Sequence, residues 1–287
     1  MTKILVTGGT GRVGHWVVHE LCSDYEIIVA SLDGPGDRAI EGVEYHIVDL
    51  SVPTEIDPVL TGVEAIVHLA AIPSPVGKDP EVVFANNMTS TFNVVEAGIR
   101  NHVSRIIYSG SGSVLGFAFR SRPMVPDYMP MDEQHPSRPQ DAYGLSKLLG
   151  EEILAAATRR TGMVTISLRA TIVLTPEDYQ TVVPAILDKT IEFGMFAYVD
   201  ARDYAKAVRL ALETDGIDHD RFFITADDAL SREPMSVAFP KRFPGSERVA
   251  SSLVGHEGPI TSAKAKRKLG YGPQYTWRDL APNPEGR

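Results

Sequence analysis

The sequence predicts an α/β protein built on a doubly wound parallel sheet of Rossmann type, with a small C-terminal cap. Three observations carry this expectation. Short β-branched runs alternate with helical patterns through about the first 175 residues. Those runs are apolar almost throughout, not at every second position, as in strands covered on both faces. The first run also passes through three spaced glycines straight into a helix.

The elements follow in order. "KILVTG" (3–8) is a strand, and 13–23 is helical. "EIIVASL" (26–32), "VEYHIVDL" (43–50) and "EAIVHLAA" (64–71) are three further strands, followed by a long helix over 80–101. "SRIIYSGS" (104–111) is a strand ending in small residues. The next helix opens at "DAYGLSKLLGEE" (141–152) and runs to about residue 160. Its Leu145, Leu148, Leu149 and Ile153 form one stripe, read as the face that anchors it to the sheet. Tyr143 and Lys147, one turn apart, share another face. "MVTISLRA" (163–170) is one more strand, and right-handed crossovers complete the winding. Beyond about 175 the pattern loosens. "VDARDYAKAVRLALE" (199–213) is helical after its first residues, and "RFFITADD" (221–228) reads as a strand. Pro and Gly cluster between 232 and 260, and "APNPEGR" (281–287) is expected to fray. The expected division is a sheet domain over 1–175, its core continued by the 199–228 helix and strand, and a largely loop-rich cap over 176–287.

The chain has 287 residues, 43% apolar and 23% charged, with a formal net charge of −9. That is a globular balance without the basic stripe of a nucleic-acid partner. The one dense basic cluster, "KAKRKLG" (264–270), reads as the end of a helix before a glycine cap. A single cysteine, Cys22, excludes an intrachain disulfide and a cysteine-based zinc site, and is read as a buried thiol. "HWVVH" places His15 and His19 one turn apart with no acidic third ligand, so they are read as helix surface and no metal is expected. No run reaches 18 apolar residues, so a soluble cytoplasmic protein with no membrane partner is expected.

"VTGGTGRVG" carries the first chemistry. Gly8, Gly11 and Gly14 permit a tight turn and let the backbone amides around Arg12 and Val13 approach a pyrophosphate at a helix N-terminus. Asp33, nineteen residues past Gly14, sits near the offset of a ribose-binding carboxylate. It would accept from both ribose hydroxyls and repel a 2′-phosphate, which favours NAD. Ser31 stands as an alternative at the strand end. Arg12 and Arg38 either attract a 2′-phosphate, keeping NADP possible, or are simply solvated.

The glycine spacing together with Tyr143-x-x-x-Lys147 resembles the extended short-chain dehydrogenase/reductase superfamily, the NAD-dependent epimerase/dehydratase group. The resemblance covers about residues 3–213 well and the cap more loosely. "VDL" (48–50) resembles the family's strand end, implying adenine contacts from Asp49 and Leu50. "HLAA" implies a loop of Leu69, Ala70 and Ala71 under the cofactor. "NNMTSTFNVVEA" resembles the Asn-Val-x-Gly-Thr helix, mapped onto Asn87 through Thr91 with Ser90 where Gly is usual. "YSGSGSVLG" aligns Ser111 with the catalytic serine, with Ser109 and Ser113 as near alternatives. "YVDARDYAKAV" and "SAKAKRKLGYGP" resemble the family's later segments.

Hydride transfer from an alcohol must be coupled to loss of its hydroxyl proton. A phenol of pKa about 10 is a poor base at neutral pH, and a nearby ammonium lowers that value. The resemblance implies that Tyr143 is the acid/base, and that Lys147 also bonds the nicotinamide ribose. It implies further that Ser111 holds the substrate oxygen. Asn87 would open its helix around a water in the proton path, or only kink it.

"LRATIV" puts Ile172 where nucleotide-sugar members carry Asn, and few residues separate it from "YVDARD" to build a surface for a nucleotide tail. "SVLGF" followed by "PMDEQHPSRPQDAYGLSK" is similar to the smaller uronate-dehydrogenase-like members. The expected activity is NAD(P)-dependent hydride transfer at a secondary alcohol or carbonyl of a small polar substrate, a sugar or sugar acid bound by the cap. Arg122, Arg169 and Arg202 are candidate carboxylate clamps or surface residues. The alternatives are a nucleotide-sugar 4-epimerase or dehydratase, and a non-catalytic NAD(P)-sensing regulator, against which the intact Tyr/Lys pair speaks. The resemblance also implies a homodimer that pairs the 80–101 helix and the Tyr143 helix. Phe84, Met88, Phe92 and Val95 either supply that face or pack on the sheet.

Overall fold

The structure, a computed structural model, describes residues 1–189 and 194–282. Its first half runs β1 (Lys3–Thr7), α1 (Gly14–Leu21), β2 (Glu26–Ser31), β3 (Glu44–Ile47), the short α2 (Pro53–Ile56), β4 (Ala65–His68), α3 (Pro80–Arg100) and β5 (Arg105–Ser111). Then come α4 (Ala142–Thr161), β6 (Val164–Ala170), β7 (Ile172–Leu174), α5 (Asp178–Leu187), β8 (Tyr198–Asp200), α6 (Ala201–Glu213) and β9 (His219–Ile224). The chain closes with α7 (Met235–Arg242), α8 (Glu247–Ala250), α9 (Ala263–Leu269) and α10 (Trp277–Leu280).

Seven parallel strands form the main sheet in the order β3-β2-β1-β4-β5-β6-β9. The order reverses between β1 and β4, and that switch point opens a crevice at the carboxyl ends of these strands. Neighbouring strand residues serve opposite cores. Ile4 and Val6 pack with Val17, Val18 and Val208 under α1 and α6. Leu5 packs with Val94, Val95 and Leu154 under α3 and α4. This two-sided burial is why the strands read as continuous apolar runs.

Several boundaries differ from the sequence expectation. The 43–50 run pairs only over Glu44–Ile47, and residues 48–50 leave the sheet toward the crevice. The 64–71 run likewise stops pairing at His68. The last strand begins at His219 and ends at Ile224, short of 228. β7 and β8 make a separate two-stranded sheet, and α5 had no clear periodic signal.

α4 sits on the sheet by the opposite face from the one its leucines suggest. Leu145 is 40% exposed, and Leu148, Leu149 and Ile153 are only half-buried. Tyr143, Gly144, Ser146, Lys147, Gly150 and Glu151 are the buried positions of its first turns. The glycines explain the close seating: a Cβ at Gly144 would lie 2.8 Å from the Ser113 carbonyl oxygen, and one at Gly150 would lie 2.4 Å from the Tyr108 hydroxyl.

A third apolar cluster stands apart from the two sheet cores. It joins Leu115, Phe117, Met129 and Met131 to Phe223, Phe239, Phe243 and Ile260. Residues 115–131, assigned by sequence to the sheet domain, therefore pack with the cap. Ala265, Leu269 and Tyr271 of the C-terminal region instead join the sheet core. Three of the four cations in the basic cluster on α9 pair within the chain, Lys264 and Lys268 with Asp220 and Lys266 with Asp227. Cys22 is half-buried, not buried, with its thiol 3.4 Å from the His19 carbonyl oxygen. Of the tail expected to fray, residues 283–287 lie outside the described residues.

Candidate active site

One cleft of about 930 Å³ follows the carboxyl ends of the strands from β2 to β6. Gly8, Gly11, Arg12, Val13 and Gly14 line its middle. Gly8 has a φ of +70°, and a Cβ there would come 2.8 Å from the Ala70 backbone, so glycine brings the β1 and β4 loops together. A Cβ at Gly14 would lie 2.1 Å from the Gly8 carbonyl oxygen, so the helix starts hard against the loop. The amides of Arg12 and Val13 donate to no acceptor among the described residues. Adjacent donors at a helix N-terminus suit the oxygens of a pyrophosphate.

At one end of the cleft stand Ser31, Asp33, Asp49 and Leu50. Asp33 lies exposed in the loop after β2. Ser31 is buried and accepts from the Thr10 amide at 3.4 Å, so Asp33 is the more open acceptor. Ser51 donates its backbone amide to Asp49 Oδ1 at 2.8 Å, and its hydrogen bonds hold that carboxyl below its ordinary value. Leu69, Ala70 and Ala71 form the wall opposite the glycine loop. Arg12 is not simply solvated: one of its nitrogens pairs with Asp178 at the start of α5, and the rest of the guanidinium stays exposed beside the cleft. Arg38 does not line the cleft.

At the other end, α4 and β5 bring three groups together. Asp141 caps α4 by accepting from the Gly144 amide at 2.8 Å, which fixes where Tyr143 begins. Ser111 faces the Tyr143 phenol, and hydrogen bonding with it acts to lower the phenol. Ser111 Oγ also lies 2.9 Å from Ser113 Oγ and accepts from the Ser113 amide at 3.1 Å. Ser109 Oγ is engaged differently, accepting from Tyr204 at 2.9 Å. Of the three serines, Ser111 is therefore the one joined to Tyr143. Phe119 packs edge-on against the Tyr143 ring at 6.1 Å.

Lys147 is 3% exposed. Its Nζ donates to the Ser109 carbonyl at 2.7 Å and stands 4.8 Å above the Tyr108 ring. Burial pushes the Lys147 ammonium down to about 7, against the opposing pull of Glu151. Burial also raises the Tyr143 phenol, while the Ser111 hydrogen bond acts the other way. In the protein alone, then, desolvation outweighs any lowering of the phenol by Lys147. His68, between Thr7 (2.7 Å) and Thr91 (3.2 Å), is fully buried and held down to about 3 by that burial, so it is neutral.

Asn87 stands elsewhere than expected. α3 is continuous from Pro80 to Arg100, and Asn87 does not line the cleft. Its Oδ1 accepts from the Ile72 amide at 2.8 Å, and its Nδ2 donates to the Ile72 carbonyl at 3.1 Å and to Ser146 at 3.2 Å. Its amide is thus committed to pinning the 69–74 loop to α3 and α4, and Asn86 and Ser90 face the cleft in its place. The arginine clamps are corrected too. Arg169 is 1% exposed and grips Glu151, Arg202 grips Asp200, and Arg122 lies off the cleft in an exposed loop. Besides Arg12 and Lys147, Arg242 at the end of α7 lines the cleft wall. It lies in the Pro/Gly-rich stretch, where no periodicity marks it. Among the described residues no cluster of three His, Cys, Asp or Glu side chains is placed to hold a metal ion.

A glycine loop at the switch point of a doubly wound sheet, facing a Tyr/Lys helix across one cleft, defines a dinucleotide-dependent enzyme of the extended short-chain dehydrogenase/reductase type. The model of the NAD dependent epimerase/dehydratase family matches residues 4–224, and the chain belongs to that family. It is similar to an L-arabinose 1-dehydrogenase (NAD(P)(+)) of Haloferax volcanii, 28% identical over 183 residues, covering 62% of this chain and 70% of the relative. A uronate dehydrogenase of Pseudomonas syringae pv. tomato is 29% identical over 58% of each chain. A UDP-glucose 4-epimerase of Corynebacterium glutamicum is 25% identical over 96% of this chain and 92% of its own. In fold, the chain matches a UDP-galactose 4-epimerase with a TM-score of 0.74 at 23% identity, over 99% of this chain and 98% of the other. The protein is thus an NAD-dependent enzyme of this family. No helix of the described residues is long and apolar enough to cross a membrane.

Proposed function

We propose that the protein is a dehydrogenase that uses NAD to oxidise a secondary alcohol of a free sugar or sugar acid, with Tyr143 as acid/base. The observation that carries this reading is the meeting of Tyr143, Ser111 and Lys147 at the far end of the cleft that the glycine loop opens. NAD, when bound, supplies the hydride acceptor. Tyr143 takes the hydroxyl proton of the alcohol. Ser111, already bonded to the phenol, holds the substrate oxygen and bonds it more strongly as charge develops there. Lys147 bonds the nicotinamide ribose, and its ammonium acts against, without cancelling, the burial that raises the phenol. Asp33 receives the adenosine ribose hydroxyls, and Asp49, Leu50 and the 69–71 wall enclose the rest of the cofactor. Asn87 is a positioning residue for that wall.

Ile172, 39% exposed in the cleft, supports a free sugar, because an aliphatic side chain offers nothing to a diphosphate. A second reading, a UDP-sugar 4-epimerase using the same Tyr143, is favoured by the epimerase match that runs nearly the whole chain. The two separate by turnover with added NAD. Purified protein is offered free uronic acids, aldoses and UDP-sugars while reduced nicotinamide absorbance is followed. Net NAD reduction by a free sugar or sugar acid is the expected result. Epimerisation of a UDP-sugar with no net reduction would sink the dehydrogenase reading.

The outward face of α3 and α4 supports a homodimer. Phe92 is 51% exposed, Phe84 and Met88 are half-buried beside it, and Leu145, Leu148 and Leu149 extend the same apolar surface from α4. Val95, by contrast, is buried against the sheet.

A further inference from the structure

Three buried groups stand at four-residue intervals along α4: Tyr143, Lys147 and Glu151. The proposed chemistry uses only the first two. Glu151 takes a fork from Arg169, with Nε to Oε1 at 2.8 Å and Nη2 to Oε2 at 2.7 Å. Ser167 donates its hydroxyl to Oε1 at 3.0 Å, and Arg221 Nη1 stands 3.8 Å from Oε2. Arg169 is the β6 partner of Gly110, which lies between Ser109 and Ser111 on β5. A Cβ at Gly110 would come 2.4 Å from Ser167 Oγ and 3.3 Å from Arg169 Cγ. The ion pair therefore lies beneath the strand end that offers Ser109 to Lys147 and Ser111 to Tyr143.

Stability is a poor account of this pair. Desolvating two charges offsets most of their attraction, and Arg169 Nη1 is buried with no acceptor. Its orientation suggests another use. The carboxylate is on the helix face of Lys147, one turn on, and the guanidinium lies beyond it on β6. We propose that Glu151, held by Arg169, is a positioning residue that keeps Lys147 charged and seats α4 at a fixed depth over β5. The other groups around Lys147 carry no opposing charge. They are Tyr143 on α4, Tyr108 and the Ser109 carbonyl on β5, neutral His68 on β4, and Tyr204 of α6, which reaches it through Ser109. Glu151 is also the group that pulls the buried Lys147 upward.

The proposal rests on the reading of Lys147 as a cofactor ligand, and one calorimetric series separates the two. NAD affinity, without turnover, is measured across neutral to alkaline pH. The proteins are the wild type, Lys147→Met, the double variant Glu151→Gln/Arg169→Gln and Ser167→Ala. In the wild type, affinity falls as rising pH discharges Lys147. In the double variant the midpoint of that fall drops by about one pH unit, a roughly tenfold weaker affinity in the window between the two midpoints. In Ser167→Ala, which removes a donor that partly neutralises the carboxylate, the midpoint rises. A purely structural role for Glu151 would weaken binding equally at every pH. An unmoved midpoint in the double variant overturns the proposal, and if that variant does not fold, an unmoved midpoint in Ser167→Ala does so. A wild-type affinity independent of pH, matched by Lys147→Met, overturns the reading of Lys147 itself and this proposal with it.

Discussion

A hydroxyl decides the role of Tyr143. Tyr143→Phe keeps the ring against Phe119 and removes only the oxygen that Ser111 bonds. Turnover should fall by about 10²–10⁴-fold while NAD affinity, read by calorimetry, stays near the wild type. Surviving activity would move the acid/base elsewhere. Asn87 makes a contrasting prediction, because its side-chain hydrogen bonds to Ile72, Ser146 and Asn86 hold a loop, and Asn87 itself does not line the cleft. Asn87→Ala should raise the KM for NAD more than it lowers kcat, and should cost about 1–3 kcal/mol of stability in denaturant titration. Loss of kcat alone would restore a direct catalytic part. Asp33→Ala should reduce the preference for NAD over NADP by about tenfold in comparative kcat/KM, since the carboxylate that repels a 2′-phosphate is gone. An unchanged ratio would shift the ribose contact to Ser31. Asp33 is legible from its offset past Gly14, and Tyr143 and Asn87 from the resemblance to the family. What it could not tell was that Asn87 turns away from the cleft, or that Arg169 has a partner on another element.

At the scale of an element, α4 is the instructive case. Its helical period and its extent to about residue 160 were legible, because each depends on residues a turn or two apart. Its rotation was not. A stripe of leucines usually faces the core, but here Gly144, Gly150, Lys147 and Glu151 face inward, since β5 and β6 supply partners for the polar groups and room for the close approach. The leucines are left on the outside beside α3. Phe92→Glu with Leu145→Glu should therefore convert the proposed dimer to monomer in sedimentation or size exclusion, with little effect on the fold. A wild type that is already monomeric at working concentration would remove the dimer proposal.

For the molecule as a whole, the cleft joins the ends of five strands of the main sheet to the cap, so NAD bound there should stiffen elements far apart in sequence. Thermal unfolding with NAD at about 100 times its Kd should show about 2.7 kcal/mol of added stability, a rise on the order of 5 °C. No shift with NAD would mean that the cleft does not hold it. The sequence by itself determined the alternation of strands and helices, the glycine turn, the acidic offset and the order of the motifs. Each of these is written in short-range periodicity or in fixed spacing along the chain. Only the tertiary structure decided which face of α4 is buried, that residues 115–131 pack with the cap, and that Arg12, Arg169 and Arg202 are bound to carboxylates. A charged side chain is read as solvated until its partner is known. Here Arg12 meets Asp178, and Arg169 on β6 meets Glu151 on α4, through folding that brings separate elements together.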